Sequence, residues 1–142
     1  MPLPARSLVP ELAVRDIGRS TTFCRRLGFK CRYERPEEGF ALLALGTAEI
    51  MLDEIGRGRT FRVDDAPLDH PLGRGLNLEI TVADLAPLLD ALEDFALFLP
   101  PEEKWYRVGE GSVGVRQFAV ADPDGYLLRF SQRLGRNPSP AP

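Results

Sequence analysis

One short pattern occurs twice in this 142-residue chain. Glu11–Ile17 reads ELAVRDI and Glu79–Leu85 reads EITVADL, 68 positions later. Each is an alternating apolar and polar run ending at an aspartate, Asp16 or Asp84, suited to N-cap a helix. IGRSTTFCRRLGF follows Asp16, with Gly28 placed to end the helix. LAPLLDALEDF follows Asp84, and Pro87 falls in a first turn, which tolerates it. A second correspondence aligns Phe40–Leu52, FALLALGTAEIML, with Phe118–Phe130, FAVADPDGYLLRF, at an offset of 78. Both read as strand, tight turn, strand. Two matches in the same order predict an α+β fold of two tandem βαβββ modules, whose curved mixed or antiparallel sheets surround a cleft. The predicted parts are an N-terminal segment 1–7, a first module 8–55, a Gly- and Pro-rich connection 56–75, a second module 76–134 and a disordered tail 135–142. Together they form one compact domain.

Composition narrows the function classes. A net charge of −3 and a pI near 5.2 lack the basic footprint that nucleic-acid binding requires. A mildly acidic surface favours a cationic guest over an anionic one. Cys24 and Cys31 are too few and too close for a secreted disulfide framework, so two reduced thiols and a cytoplasmic location are expected. MPLPARSLVPELAV has no apolar run suited to a signal peptide, and no stretch reaches the length of a membrane span.

VPELAVRDIGRSTTFCRRLGF (Val9–Phe29) and FAVADPDGYLLRF (Phe118–Phe130) resemble the vicinal oxygen chelate superfamily, which includes glyoxalase I, extradiol dioxygenases and bleomycin-resistance proteins. The resemblance spans about residues 8 to 134. It is nearest to the bleomycin-resistance branch, through "RD" before the helix, "RLGF" after it and the closing "DPDG-x-LLR". It implies a divalent-metal site built from two side chains of each module in the metal-dependent members. In this sequence those positions match Val9, Met51, Asn77 and Arg129, and the offsets of 68 and 78 relate them pairwise. Valine offers no donor, methionine and asparagine are poor ligands for such ions, and a guanidinium repels a dication. His70 is the single histidine. Glu11, Glu49 and Asp53 are read as off-register, turned to the other sheet face. No metal and no cofactor is therefore expected.

Other chemistry finds no support. Ser20, Ser112 and Ser131 have no histidine near them in the pattern, and the carboxylates gather in solvated-looking clusters. GEGSVGV (Gly109–Val115) leads into a strand, so a hairpin is expected in place of a phosphate loop. Aromatic residues suit a binding role better. Tyr33, Phe40, Phe61, Trp105 and Tyr106 are candidate ligand contacts with Asp53, Met51, Asn77 and Arg129, and Trp105 ranks first. For Tyr33 and Phe40 the competing reading is core packing, and for Trp105 a subunit interface. Arg129 either meets a ligand or pairs with Glu79 or Asp53.

The resemblance implies a metal-free homodimer that sequesters a small molecule without transforming it, such as a cationic glycopeptide antibiotic of the bleomycin type. The rival readings are a metal-dependent glyoxalase- or dioxygenase-like enzyme, a binding protein for a different small molecule, and a regulatory module on the same fold.

Overall fold

A computed structural model of the chain describes residues 6–138. It divides into two compact units, with the boundary between Leu72 and Gly73. The first contains β1 (Glu11–Val14), α1 (Ile17–Arg26), β2 (Lys30–Arg35), a single 3-10 turn at Pro36–Glu38, β3 (Phe40–Leu45) and β4 (Ala48–Glu54). The second contains β5 (Asn77–Thr81), α2 (Ala86–Ala91), β6 (Leu99–Val108), β7 (Gly111–Ala121) and β8 (Leu127–Asn137). Each unit is βαβββ, and residues 55–76 carry neither helix nor strand. Among the described residues no helix is long and apolar enough to cross a membrane.

Local chemistry explains the element ends. Asp16 is the N-cap of α1, its carboxylate accepting from Arg19 N at 3.1 Å. Gly28, at φ +98°, closes the helix while Phe29 N donates back to Cys24 O at 3.1 Å. Asp84 departs from its predicted role. Leu85 occupies the N-cap position of α2, and Asp84 accepts from Ala86 N in a local turn one residue earlier. Pro87 does fall in the first turn, as read.

The first sheet has strand order β1-β4-β3-β2 and the second β5-β8-β7-β6. In each, the first strand runs parallel to the last of its unit and the other pairs are antiparallel, so both sheets are mixed. The repeat is visible in the register. Glu11 pairs with Met51, and Glu79 with Arg129, which reproduces both offsets. It is also visible in a side-chain device: Glu54 Oε2 accepts from Ile17 N at 2.9 Å, and Gln132 Oε1 accepts from Leu85 N at 3.0 Å. Each closing strand thus satisfies an otherwise orphan amide at the start of its own helix.

One face of each sheet builds the core. Leu12, Val14, Ala41, Leu43, Ile50 and Leu52 are buried with Phe23, Cys24 and Leu27 from α1 and its end. In the second unit Phe118, Val120, Leu128 and Phe130 are buried, as are Leu85, Leu88 and Leu92 around α2. Phe118 and Phe130 meet with ring centroids 5.5 Å apart.

Two expectations shift. The offset of 78 holds for β4 and β8 but not for β3 and β7. Phe40 pairs with Asp53 as Gln117 pairs with Ser131, so the counterpart of Phe40 is Gln117 and not Phe118. The cause is turn length. Two residues, Gly46 and Thr47, separate the paired Leu45 and Ala48, whereas three separate Asp122 from Tyr126, whose O accepts from Asp122 N. One extra turn residue moves the preceding strand by one position. The expected tail also begins too early, because β8 continues through Asn137; its last residues, 139–142, lie outside the described residues.

Candidate functional site

The open face of the first sheet, opposite α1, carries a pocket of about 280 Å³. Alternation along the strands puts Glu11, Phe40 and Asp53 on that face, since Leu12, Ala41 and Leu52 point into the core. Arg35 joins them from β2, opposite Phe40. Glu38, Gly58, Arg59 and Phe61 complete the lining. A narrower recess of about 50 Å³ is lined by Glu11, Ala13, Asp53, Thr60 and Phe61.

Packing within this pocket is aromatic and charged. Tyr33 stacks on Phe40 with centroids 5.9 Å apart, and the Arg35 guanidinium lies 4.0 Å from the Phe40 centroid. Arg35 also pairs with Glu38. Arg59 stands over Phe61 at 4.6 Å. Gly58 permits close approach: a Cβ there would sit 2.7 Å from Glu38 O and 3.1 Å from Asp53 Oδ1. Burial raises the Asp53 carboxyl above the ordinary aspartate range, an effect the nearby Thr60 hydroxyl partly offsets. That hydroxyl stops short of a well-formed hydrogen bond, so Thr60 Oγ1 is buried with no partner. Glu11 is raised too, by partial desolvation and then by the charge of Asp53.

The open face of the second sheet carries a polar cluster. Arg129 donates from NH1 to Glu79 Oε2 and to Gln117 Oε1, both at 3.0 Å, and from Nε to Asn77 Oδ1 at 3.3 Å. Gln117, almost completely buried, passes the network on from Nε2 to Glu102 Oε1 at 3.0 Å and to Tyr106 OH at 2.8 Å. A buried amide with three partners is satisfied and rigid. Arg129 is therefore paired with Glu79, one of the two internal partners anticipated for it.

The structure sorts the candidates by unit. Tyr33, Phe40, Asp53 and Phe61 gather at the first pocket, with Met51 on the same sheet face. Asn77, Tyr106 and Arg129 gather in the second cluster. Trp105 does not join them. Neighbouring strand residues point to opposite faces, so Trp105 lies on the reverse face from Tyr106, packed over Gly114, where a Cβ would come within 2.6 Å of its ring. The reading of Glu11, Glu49 and Asp53 as facing away is also overturned. Each stands two positions from Val9 or Met51, and a strand returns to the same face every second residue. Glu49 is engaged by Arg32. Among the described residues no three His, Cys, Asp or Glu side chains gather as metal ligands.

Sequence reasoning missed Arg35, Glu38, Arg59 and Gln117. For Arg35 a signal existed, since it alternates in phase with Tyr33 on its own strand, whereas Gln117 depended on the register of β7. Arg59 belongs to the connection and had none. The DPDG motif resolves as a turn: buried Asp122 Oδ1 accepts from Asp124 N and Tyr126 N, both at 2.9 Å, and Gly125 takes φ +86°.

No family model matches the chain. It is 28% identical over 135 residues to a bleomycin resistance protein of Geobacillus stearothermophilus, covering 89% of this chain and 96% of that one. A bleomycin resistance protein of Staphylococcus aureus matches equally. Among solved structures, TioX from Micromonospora sp. ML1 superposes with a TM-score of 0.69 at 23% identity, covering 92% of this chain and all of the other. A bleomycin-binding protein complexed with bleomycin gives 0.55 at 20% identity, covering 90% and 98%. The chain thus shares the glyoxalase/bleomycin resistance/dioxygenase fold, and its resemblance to the bleomycin-resistance branch holds along nearly its whole length.

Proposed function

We propose that this protein binds a small organic molecule and holds it without chemistry, and that the ligand is a cationic, partly planar antibiotic of the bleomycin type. One observation carries the reading: the sequence similarity to bleomycin resistance proteins runs through both modules and through the strands that line the acid–aromatic pocket. Phe40 and Phe61 offer apolar walls and Asp53 and Glu11 offer negative charge, which suits a planar group carrying a cation. A homodimeric protein acting in the cytoplasm completes the proposal.

Calorimetric titration of the purified protein with metal-free bleomycin tests it, after elemental analysis of the same sample. Saturable binding near one ligand per chain is expected, weakened about tenfold or more by Phe61→Ala. Absence of binding heat at millimolar ligand would sink the antibiotic assignment. Stoichiometric zinc, nickel or iron in the sample would return the enzyme reading to first place.

A further inference from the structure

The pocket of the first unit contains two cations of the chain itself, and they are held differently. Arg35 is anchored over Phe40 by its pair with Glu38. Arg59 rests on Phe61, which is 68% exposed, and makes no ion pair among the described residues. Below the rim, Asp53 is 5% exposed and makes no ion pair among the described residues, and Thr60 Oγ1 beside it is buried without a hydrogen-bond partner. A desolvated carboxylate without a counter-ion, next to an unsatisfied hydroxyl oxygen, is a costly arrangement that a donor-bearing cation would relieve. The exposed ring of Phe61 attracts a cation for an independent reason, its electron-rich face, and already has one.

We propose that Arg59 is a stand-in. The pocket takes the amidinium, guanidinium or ammonium group of a small aromatic ligand against Asp53 and Glu11, and Arg59 gives up its place on Phe61 to admit it. The inference rests on the binding reading and specifies which end of the ligand the first unit holds. It also makes Arg59 a residue that sets affinity by competition. Its removal tightens binding of a cation, the reverse of what loss of an ordinary contact does.

Benzamidine, a planar amidinium, and benzamide, its neutral counterpart, are suitable probes, titrated against the full chain and followed by amide chemical shifts. Benzamidine is expected to bind and benzamide to bind at least about tenfold more weakly, since only the former brings charge. Asp53→Asn is expected to weaken benzamidine about tenfold, and Arg59→Ala to strengthen it about three- to tenfold by removing a competing stacked cation. Should Asp53→Asn fail to fold, Glu11→Gln, at the exposed rim, is expected to weaken benzamidine as well. Equal affinity for the two probes, or weaker benzamidine binding in Arg59→Ala, would overturn the proposal. Failure of bleomycin to bind while benzamidine responds to Asp53 and Arg59 would remove the antibiotic reading and leave this one standing. Bleomycin binding with no benzamidine response would do the opposite.

Discussion

Asp122 is the residue whose replacement offers the sharpest test of the structure. Its carboxyl is buried, and burial pushes its pKa up from 3.8 to about 6, against the opposing pull of the Tyr126 and Asp124 amides. The folded state therefore holds the Asp122 proton more tightly than the unfolded chain does. The associated stability is fully present below the unfolded pKa and is lost as pH rises through the folded one. A difference of about two pKa units corresponds to about 3 kcal/mol. Asp122→Asn removes the titration while its carbonyl oxygen can still accept from Asp124 N and Tyr126 N, because a single carboxylate oxygen, Oδ1, receives both bonds. Urea unfolding of both proteins between about pH 4 and about pH 7.5 reads the effect, since carboxylates not coupled to Asp122 contribute equally to each and cancel in the difference, leaving Asp122 with its neighbour Asp124. The parent is expected to lose about 2–2.5 kcal/mol relative to the variant across that range, the remainder being lost already below about pH 4. A gap independent of pH, or one in which the parent gains relative stability on going basic, would refute the account of Asp122 as a buried acid.

Two further predictions concern the second unit. Arg129→Met leaves Glu79 solvated but takes the partner from the buried Gln117 Oε1, while Gln117 Nε2 stays bonded to Glu102 and Tyr106, so a loss of about 1–3 kcal/mol is expected in denaturant melts; a loss beyond about 4 kcal/mol would mean the cluster is a keystone of the fold. Gly114→Ala places a Cβ 2.6 Å from the Trp105 ring, so about 1–3 kcal/mol of destabilisation and a shift in the emission of the single tryptophan are expected, and an unperturbed spectrum would contradict the packing of Trp105 on β7.

The architecture was legible because its causes are local. Alternating apolar residues, an aspartate at the strand end and a glycine at the helix end specify strand, helix and stop over a few positions each; the first module carries all three, and the second repeats the strand and the aspartate without the glycine. The same repetition located Met51 and Arg129 on the closing strands, and the observed Glu11–Met51 and Glu79–Arg129 pairs agree with it. Strand parity was equally available, since two positions return a side chain to the same face; Glu11 and Asp53 needed only that count.

What the chain order could not state is which residues distant in sequence become neighbours. The one-residue difference between the turns at Gly46 and Asp122 decided that Gln117, not Phe118, faces Arg129, because register propagates from a turn along the whole strand. The connection carries no periodicity, so only the folded chain could bring Arg59, Thr60 and Phe61 over β1 and β4 to close a pocket above Asp53. Trp105 shows the same limit from the other side. Aromatic character marks a side chain as able to bind, but the face it presents is set by pairing with Gly114, and that pairing is a property of the sheet. Sequence thus determined the two modules and their closing strands through short-range stereochemistry. The tertiary structure alone decided which charges are paired, which are desolvated and which lie open to a ligand, because burial and electrostatics depend on every strand that packs nearby.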